Sequence, residues 1–421
     1  MNETVPSVVA IDIGTNKVSV LIAKVYAPDR IEVIGMGSAV NRGMSKGKIA
    51  SLDKVITSIK NAVQEAEDRS ECRIHSAWIS IPSAELKSFY ASGQVVVENS
   101  EKIITTNEMV RALDLAKASQ NAGQDHYLVS AVPLGFDLDD AGEWVQNPLR
   151  MSAQSMTAHY QLMTLPITTM QNVDRALKGA NIGVEKIVIS SLATAEATLL
   201  PDEKEYGVCL IDIGAGTTDI LVYIEGRLAF AHTLQKGGDH VTRDIASVLQ
   251  TTTEEAERLK IKYGCVDLNV IKPDHMIQIQ GIEGPQTISR IELAEIIIAR
   301  YDEIFAEIHH QLQQTGAIQG LYHGVVLAGN ASKVEGIINF SRRCLGISAH
   351  LGNHPPKVIC ADEQYLTTLQ DSSYRTAVGL LIYSQNEEQG EPSASEHTNS
   401  SMWVKLKNSW GNLNKKLKKF F

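Results

Sequence analysis

Short aliphatic runs broken by polar and glycine-containing turns fill residues 8–37, a pattern that predicts three successive strands. The period then changes. Val55, Ile59 and Val63 recur at helical spacing, predicting a helix from about residue 52 to 67, and a strand at 77–81 is stopped by Pro82. Between residues 83 and about 166 the chain reads as an inserted α/β subdomain, with a strand at 93–97, a helix at 107–119 capped by Asn107, and strands near 127–131 and 158–164. The first unit resumes with a helix at 167–178, a strand at 186–189 and a helix around 193–200. The polar run Asp202-Glu203-Lys204-Glu205 is then expected to form a junction.

A second unit opens at Gly207. Its apolar pattern predicts a strand pair, a third strand at 228–233, a turn at Gly237-Gly238-Asp239 and a helix from Val241. Two helices flanking strands follow between 252 and about 315, the longer starting near Ser289 with Leu293, Ile296 and Ile297 as its buried side. A buried strand at 324–327 runs into Ala328-Gly329-Asn330-Ala331-Ser332, and the carboxyl end of such a strand is a usual place for a ligand. A last helix at 373–383 closes the body. Residues 385–400, rich in Glu, Ser, Asn and Gly with Pro392, cannot bury enough apolar surface to fold alone and read as a linker.

With 421 residues and 43% apolar content, the chain suits roughly two to four domains with ample burial. A net charge of −10 argues against nucleic acid as a partner. The five cysteines form neither a C-x-x-C pair nor a short-loop framework, which argues against zinc and disulfides and fits a reducing cytoplasm. The first residues lack the order of a secretion signal, and no apolar stretch of about 18 residues is present to cross a bilayer.

One repeat carries the candidate chemistry. Ile11-Asp12-Ile13-Gly14-Thr15 returns as Ile211-Asp212-Ile213-Gly214-Ala215-Gly216-Thr217-Thr218-Asp219, each copy joining two strands by a glycine-containing turn. Such a hairpin leaves backbone N–H groups uncovered for phosphate, and Thr15, Asn16 and Lys17 extend the first copy. Gly214, Ala215, Gly216, Thr217 and Thr218 would act from the opposite side. Either copy alone is also what an ordinary Asp-Gly hairpin turn looks like; two copies in matching strand patterns point to one nucleotide held between two half-sites. Asp12 and Asp212 beside a polyphosphate would repel it, so magnesium is implied, reached through its waters because Mg²⁺ gives them up reluctantly. Gly238 and Asp239 open a helix whose amino end could meet phosphate or ribose, or simply cap the helix. Glu257 and Lys260, three apart, could flank a sugar and base, or form a solvated ion pair. For hydrolysis no water-positioning residue stands out; Glu196 is a candidate, but it reads first as a surface glutamate.

Residues 401–421 carry Lys405, Lys407, Lys415, Lys416, Lys418 and Lys419 and no acid, so this tail is +6 and the preceding residues −16 within the total of −10. Trp403, Leu406, Trp410, Leu413, Leu417 and Phe420 recur at three- and four-residue steps, with Phe421 at the end, predicting an amphipathic helix about 30 Å long. Its lysines forbid spanning and suit the headgroup region of an anionic leaflet; docking on the body or on a partner coiled coil is the other reading. A linker of about 15 residues would keep the body about 20 Å from the anchor.

Taken together, the two hairpins, the Gly329 strand end and the basic terminal helix resemble the FtsA family of bacterial cell-division proteins, within the actin and Hsp70 ATPase superfamily. Asp12 to Lys17 is similar to the family's first phosphate motif, Asp212 to Asp219 to its second, and Ala256-Glu257-Arg258-Leu259-Lys260 to its nucleoside-contacting helix. The adenosine-side motif, usually Thr-Gly-Gly, is here Ala328-Gly329-Asn330, with Asn330 expected to tolerate a positive φ and Ala331 following it. The resemblance implies an actin-like two-lobed α/β fold of duplicated ribonuclease H-like units. Its parts would be a first lobe of residues 1–83 and 167–204 and an FtsA-type inserted subdomain at 84–166. A second lobe of 205–241 and 312–384, a subdomain at 242–311, a linker at 385–400 and a C-terminal amphipathic helix at 401–421 would complete it. It also implies ATP or ADP with Mg²⁺, weak or no ATP turnover, self-polymerisation, and recruitment of later divisome proteins. It further implies tethering of the FtsZ ring, through its C-terminal peptide, to the inner face of the cytoplasmic membrane at the septum. Arg300 is similarly placed to a residue engaged in the FtsZ contact. Rival readings are a PilM-like pilus-assembly protein, which does not predict the basic tail, and an actin-fold kinase or phosphatase, which predicts substrate-dependent phosphate release. An Hsp70-like chaperone would need a substrate domain after about residue 380.

Overall fold

The computed structural model describes residues 7–27, 30–119, 125–352, 358–360, 365 and 368–389. Two compact units emerge, one of Met1–Lys87 with Leu165–Tyr383, the other built on Ser88–Thr164. The linker from residue 390 and the whole tail 401–421, with its tryptophans and lysines, lie outside the described residues.

In the larger unit the sequence repeat becomes a repeat of topology. Strands Ser7–Ile13, Lys17–Ala27 and Arg30–Val40 form an antiparallel meander, and Ser76–Ile81 and then Gly183–Ile189 add in parallel on the side of the first strand. Val208–Ile213, Thr218–Ile224 and Arg227–Leu234 repeat the meander, and Val325–Ala328 and then Ala349–Leu351 repeat the parallel additions. The inner strands are aliphatic on both faces, as expected for sheets covered by helices. Helix Leu52–Ser70 buries Val55, Ile59, Ala62, Val63 and Ala66. The second sheet and its helices share a core that includes Ile211, Val222, Ile245, Leu259, Ile304, Phe305 and Phe340.

Helix Arg290–Gln314 is capped by Ser289, whose Oγ accepts from the N–H of Ile291 at 3.0 Å. Its buried stripe holds Leu293, Ala294, Ile297 and Tyr301, so Ala294, not Ile296, faces inward; Ile296 packs at the core's margin. The expected junction at 202–205 is a short helix, Pro201–Tyr206, because Glu203 turns inward and its Oε2 accepts from the N–H of Leu200 at 2.8 Å. The last helix is Arg375–Gln389, which carries helical backbone past residue 385, where the linker was expected to begin.

The smaller unit is a four-stranded sheet, ordered Lys87–Val96, Ser155–Pro166, His126–Leu138 and Trp144–Val145, with helix Thr106–Ser119. Its own core includes Ala91, Val95, Ala112, Phe136, Met156 and Tyr160. The helix is capped two residues earlier than Asn107: Thr105 Oγ1 accepts from the N–H of Asn107 at 3.3 Å, and Glu108 accepts from the N–H of Thr105 at 2.9 Å. Among the described residues no helix is long and apolar enough to cross a membrane.

Candidate functional site

The two hairpins close with the same bond. Gly14 N–H donates to the Lys17 carbonyl and Gly214 N–H to the Thr217 carbonyl, each at 2.9 Å. Both turns face one cavity of about 720 Å³. Asp12, Gly14, Thr15, Asn16 and Lys17 line it from the first hairpin, and Asp212, Gly214, Ala215 and Thr217 from the second. Gly238, Asp239, Glu257, Lys260, Gly329, Asn330 and Ala331 complete the expected set. Gly216 and Thr218 do not line the cavity: Gly216 lies against Thr15 and Gly47, and the buried Thr218 hydroxyl donates to the Lys236 carbonyl at 2.8 Å. Asn16 Nδ2 donates to Asp239 Oδ1 at 2.7 Å and Gln235 Nε2 to the Ala84 carbonyl at 2.8 Å, joining the two halves across the cleft.

Three positions are engaged within the chain itself. The N–H groups of Gly238 and Asp239 are spent on the carbonyls of Gly214 and Ala215, both at 2.9 Å, so this helix start caps itself on the second hairpin rather than presenting free donors. Asn330 does not carry the positive φ at the strand end. Gly329 does, at +82°, and Asn330 opens a 3₁₀ turn, its Oδ1 accepting from Ser372 Oγ at 2.6 Å. Glu196 lies off the cavity and pairs with Lys204 at 2.7 Å. Glu257 and Lys260 are an ion pair at 2.6 Å that nevertheless lines the cavity, with Lys260 also donating to Thr242 Oγ1 at 2.8 Å and the Gly238 carbonyl at 3.1 Å. The pair is thus an ion pair as the second reading has it, half-buried rather than solvated.

Sequence reasoning passed over a third carboxylate. Asp219 stands directly opposite Asp212 across the second hairpin, whereas Asp12 stands opposite Ser19 in the first. It lines the cavity and accepts from Ser83 Oγ, on the first half, and from Thr233 Oγ1 at 2.6 Å. Register in a short antiparallel hairpin would have revealed it. Ser190, Thr194, Lys333, Asp371, Ser373 and Arg375 also line the cavity, and they come from segments with no repeat to mark them.

The floor of the cleft is electrostatically loaded. Burial, reinforced by Asp212, lifts Asp12 to about 6 although Ser80 Oγ donates to it at 2.5 Å. Burial and the Asp212 charge lift Asp219 to about 7. Burial also raises Asp212, against a hydrogen bond from Thr194 and the charge of Arg375. Lys17 is brought down to about 8 by burial, with Asp371 and Asp12 opposing; its ammonium donates to Ser373 Oγ at 2.9 Å and lies 3.3 Å over the Tyr374 ring. Burial pulls Asp371 upward, but Ser373 and Lys333 outweigh it and hold it at about 2. Carboxylates raised in this way would be discharged by a divalent cation. Among the described residues no group of three or more His, Cys, Asp or Glu is placed to hold a bare ion. The hard oxygen donors Asp12 and Asp212 would fit magnesium through its water shell.

These shifts set a pH dependence. Asp12 and Asp219 titrate near 4 when unfolded and at about 6 and about 7 when folded, so the folded chain binds the extra protons. Their contribution is complete below about pH 4 and is lost as pH rises through the folded values. The thermal midpoint of the nucleotide-free chain should fall between about pH 5.5 and about pH 8, and Asp219→Asn should flatten that fall. A wild-type midpoint that climbs over this interval would contradict the assignment.

Residues 209–379 match the family described as Cell division protein FtsA, and residues 83–164 match the SHS2 domain inserted in FTSA. The Cell division protein FtsA of Pseudomonas aeruginosa is 32% identical over 378 residues, covering 89% of this chain and 88% of that protein. The chain belongs to the FtsA family. Its fold is shared more widely. The PilM-PilN type IV pilus biogenesis complex contains a chain aligned at TM-score 0.65 and 16% identity, over 90% of this chain and 98% of that one. MreB5 of Spiroplasma citri, solved bound to ADP, aligns at TM-score 0.56 and 12% identity, over 91% and 98%. At those identities the likeness concerns the actin-like fold alone, while FtsA membership makes this a cell-division protein with the FtsA-type SHS2 insertion.

Proposed function

We propose that this FtsA-family chain binds ATP or ADP with magnesium in the cleft and works as a membrane-bound polymerising adaptor. It would tether the FtsZ ring to the inner membrane and recruit later divisome proteins. The observation that carries the nucleotide reading is the convergence of Asp12, Lys17 and Asp212 from two equivalent hairpins on a single cavity. The ADP carried by the MreB5 structure, which shares the fold, supports it. Asp12 and Asp212 would hold the hydrated ion, Lys17 and the hairpin backbones the phosphates, and Glu257 and Lys260 the sugar and base. The lobes would be residues 1–83 with 167–204 and 205–241 with 312–384, and residues 84–166 the inserted partner-recruiting subdomain. Residues 401–421 would lie in the headgroup region of an anionic leaflet.

Subdomain 242–311 would receive the FtsZ C-terminal peptide. Arg300 is bound to Asp244 at 2.6 and 2.9 Å and to Glu303, so a carboxylate of the peptide would have to compete with carboxylates already in place. Titration of Mg·ATP into the full chain by calorimetry, followed by a labelled FtsZ tail peptide, tests the whole reading. Arg300→Glu and the uncharged Arg300→Met should take up ATP as wild type does and lose at least about tenfold in peptide affinity, the scale of a charge-assisted bond. No heat with ATP would overturn the nucleotide reading and no peptide binding by wild type the adaptor reading, while equal peptide binding by all three proteins would remove Arg300 from the contact.

A further inference from the structure

Lys17, the side chain that would serve the phosphates, is already engaged by the chain itself. Its ammonium donates to Ser373 Oγ at 2.9 Å and stands 3.3 Å from the centroid of the Tyr374 ring. Both partners belong to the 3₁₀ turn Ser372–Tyr374, which runs directly into the last helix, Arg375–Gln389. The turn is fixed from the other half of the cleft as well. Asp371 caps it, its Oδ1 accepting from the N–H of Ser373 at 2.8 Å, and pairs with Lys333 at 2.9 Å. Ser372 Oγ donates to Asn330 Oδ1 at 2.6 Å. Asn330 and Lys333 follow strand Val325–Ala328 of the second sheet, so one turn ties the first hairpin to the second half of the site.

A polyphosphate would contest these contacts. A lysine ammonium is a compact charge with three donors, and the Ser373 hydroxyl takes one of them. A ring face attracts the charge without using a donor, but at 3.3 Å it covers one side of the ammonium and keeps a phosphate oxygen from that side. The ring is buried, with 6% of its surface exposed, so it cannot swing aside unless the turn moves with it. Lys17 and Ser373 line the cavity and Tyr374 does not, so a change at Tyr374 removes no contact to a ligand.

We propose that the turn Ser372–Tyr374 is an internal competitor for Lys17: the turn and a polyphosphate cannot both hold the ammonium, so nucleotide uptake frees the start of the last helix. The inference rests on the nucleotide reading of the cleft. Because the two partners exclude each other, whatever weakens the turn's hold on Lys17 strengthens the nucleotide's by the same factor. The last helix thereby feels the occupancy of the first hairpin through one side chain.

The experiment titrates Mg·ATP into the full chain by calorimetry for wild type, Tyr374→Leu, Tyr374→Phe and Ser373→Ala. Thermal unfolding is recorded for each, and hydrogen exchange is followed over residues 372–378. Tyr374→Leu fills the site with an apolar side chain but removes the ring, and should tighten ATP binding about tenfold, the scale of a partly desolvated cation–π contact. Tyr374→Phe keeps the ring face and should bind as wild type does. Ser373→Ala removes one acceptor and should tighten binding about threefold, whereas a hydroxyl that served the nucleotide would weaken it when lost. In wild type ATP should speed exchange across the turn, and in Tyr374→Leu that exchange should be fast before ATP is added. A folded Tyr374→Leu protein that binds ATP no more tightly than wild type would overturn the proposal, as would equal tightening in Tyr374→Phe or exchange in wild type that ATP slows or leaves unchanged. Should Tyr374→Leu not fold, Ser373→Ala decides: unchanged or weaker ATP binding overturns the competition. Failure of wild type to bind Mg·ATP would overturn the nucleotide reading and this inference with it, and is distinguishable because it appears before any substitution is made.

Discussion

Replacing Gly329 by alanine should cost ATP affinity about 100-fold, the scale on which a misplacement of about 1 Å is felt at a preorganised site. Gly329 follows strand Val325–Ala328 with φ of +82°, where an L side chain pays about 1–2 kcal/mol. A β-carbon there would stand 2.4 Å from Asp212 Oδ1 and 2.4 Å from the Ile213 carbonyl oxygen. Neither oxygen can yield without moving the second hairpin, so the substitution strikes together the carboxylate proposed to hold magnesium and the turn proposed to hold phosphate. The neighbouring position is the control. Asn330 sits in a 3₁₀ turn outside the positive-φ region and only receives a hydroxyl from Ser372, so Asn330→Gly should change ATP affinity by less than about threefold, roughly one lost surface hydrogen bond. Calorimetric titration checks both. Near-wild-type affinity in Gly329→Ala, or a large loss in Asn330→Gly, would mean that the strand end does not shape the site.

That contrast marks where sequence was sufficient. The hairpins were legible because an Asp-x-Gly turn between aliphatic strands appears twice, and duplication turns a common turn into a site. The strand end was legible as a ligand position, yet Ala328-Gly329-Asn330 offers two residues able to take positive φ and nothing in the pattern chooses between them. The Ser332 hydroxyl, which bonds the Ala328 carbonyl at 2.5 Å, and the Ser372 bond to Asn330 pin the following turn and leave the unusual conformation to Gly329.

Groups brought in by tertiary structure were harder to see. Asp219 could have been read from hairpin register, since it faces Asp212 directly; burial first and the Asp212 charge second push its protonation upward. Arg375 and Asp371 carry no such signal: they enter the cleft only because the last helix crosses helix Ser190–Thr198 at Gly379. The helix start at Gly238 was legible only as a choice between meeting a ligand and capping the helix. Gly238 and Asp239 have the residue types of an anion-binding terminus, but their donors are consumed by the adjacent hairpin's carbonyls.

Deleting residues 401–421 should reduce pelleting with anionic vesicles to background. The body that remains carries −16 and is repelled by such a surface, so all attraction must come from the tail, with six lysines worth at most about 1 kcal/mol each and the stripe from Trp403 to Phe421 supplying the apolar part. The two contributions separate experimentally. High salt screens the lysines and spares the stripe, so pelleting should weaken without vanishing at about 1 M salt. Replacing Trp403 and Trp410 by alanine should leave a residual binding that is entirely salt-sensitive. Reversing Lys415, Lys416, Lys418 and Lys419 to glutamate should be as severe as the deletion, because it gives the tail the sign of the body. Filament formation would raise the effect further, since many weak anchors on one polymer act together. A truncated chain that still pellets would place the lipid-binding surface on the folded body, and the tail's stripe would then be free to serve as a docking helix instead.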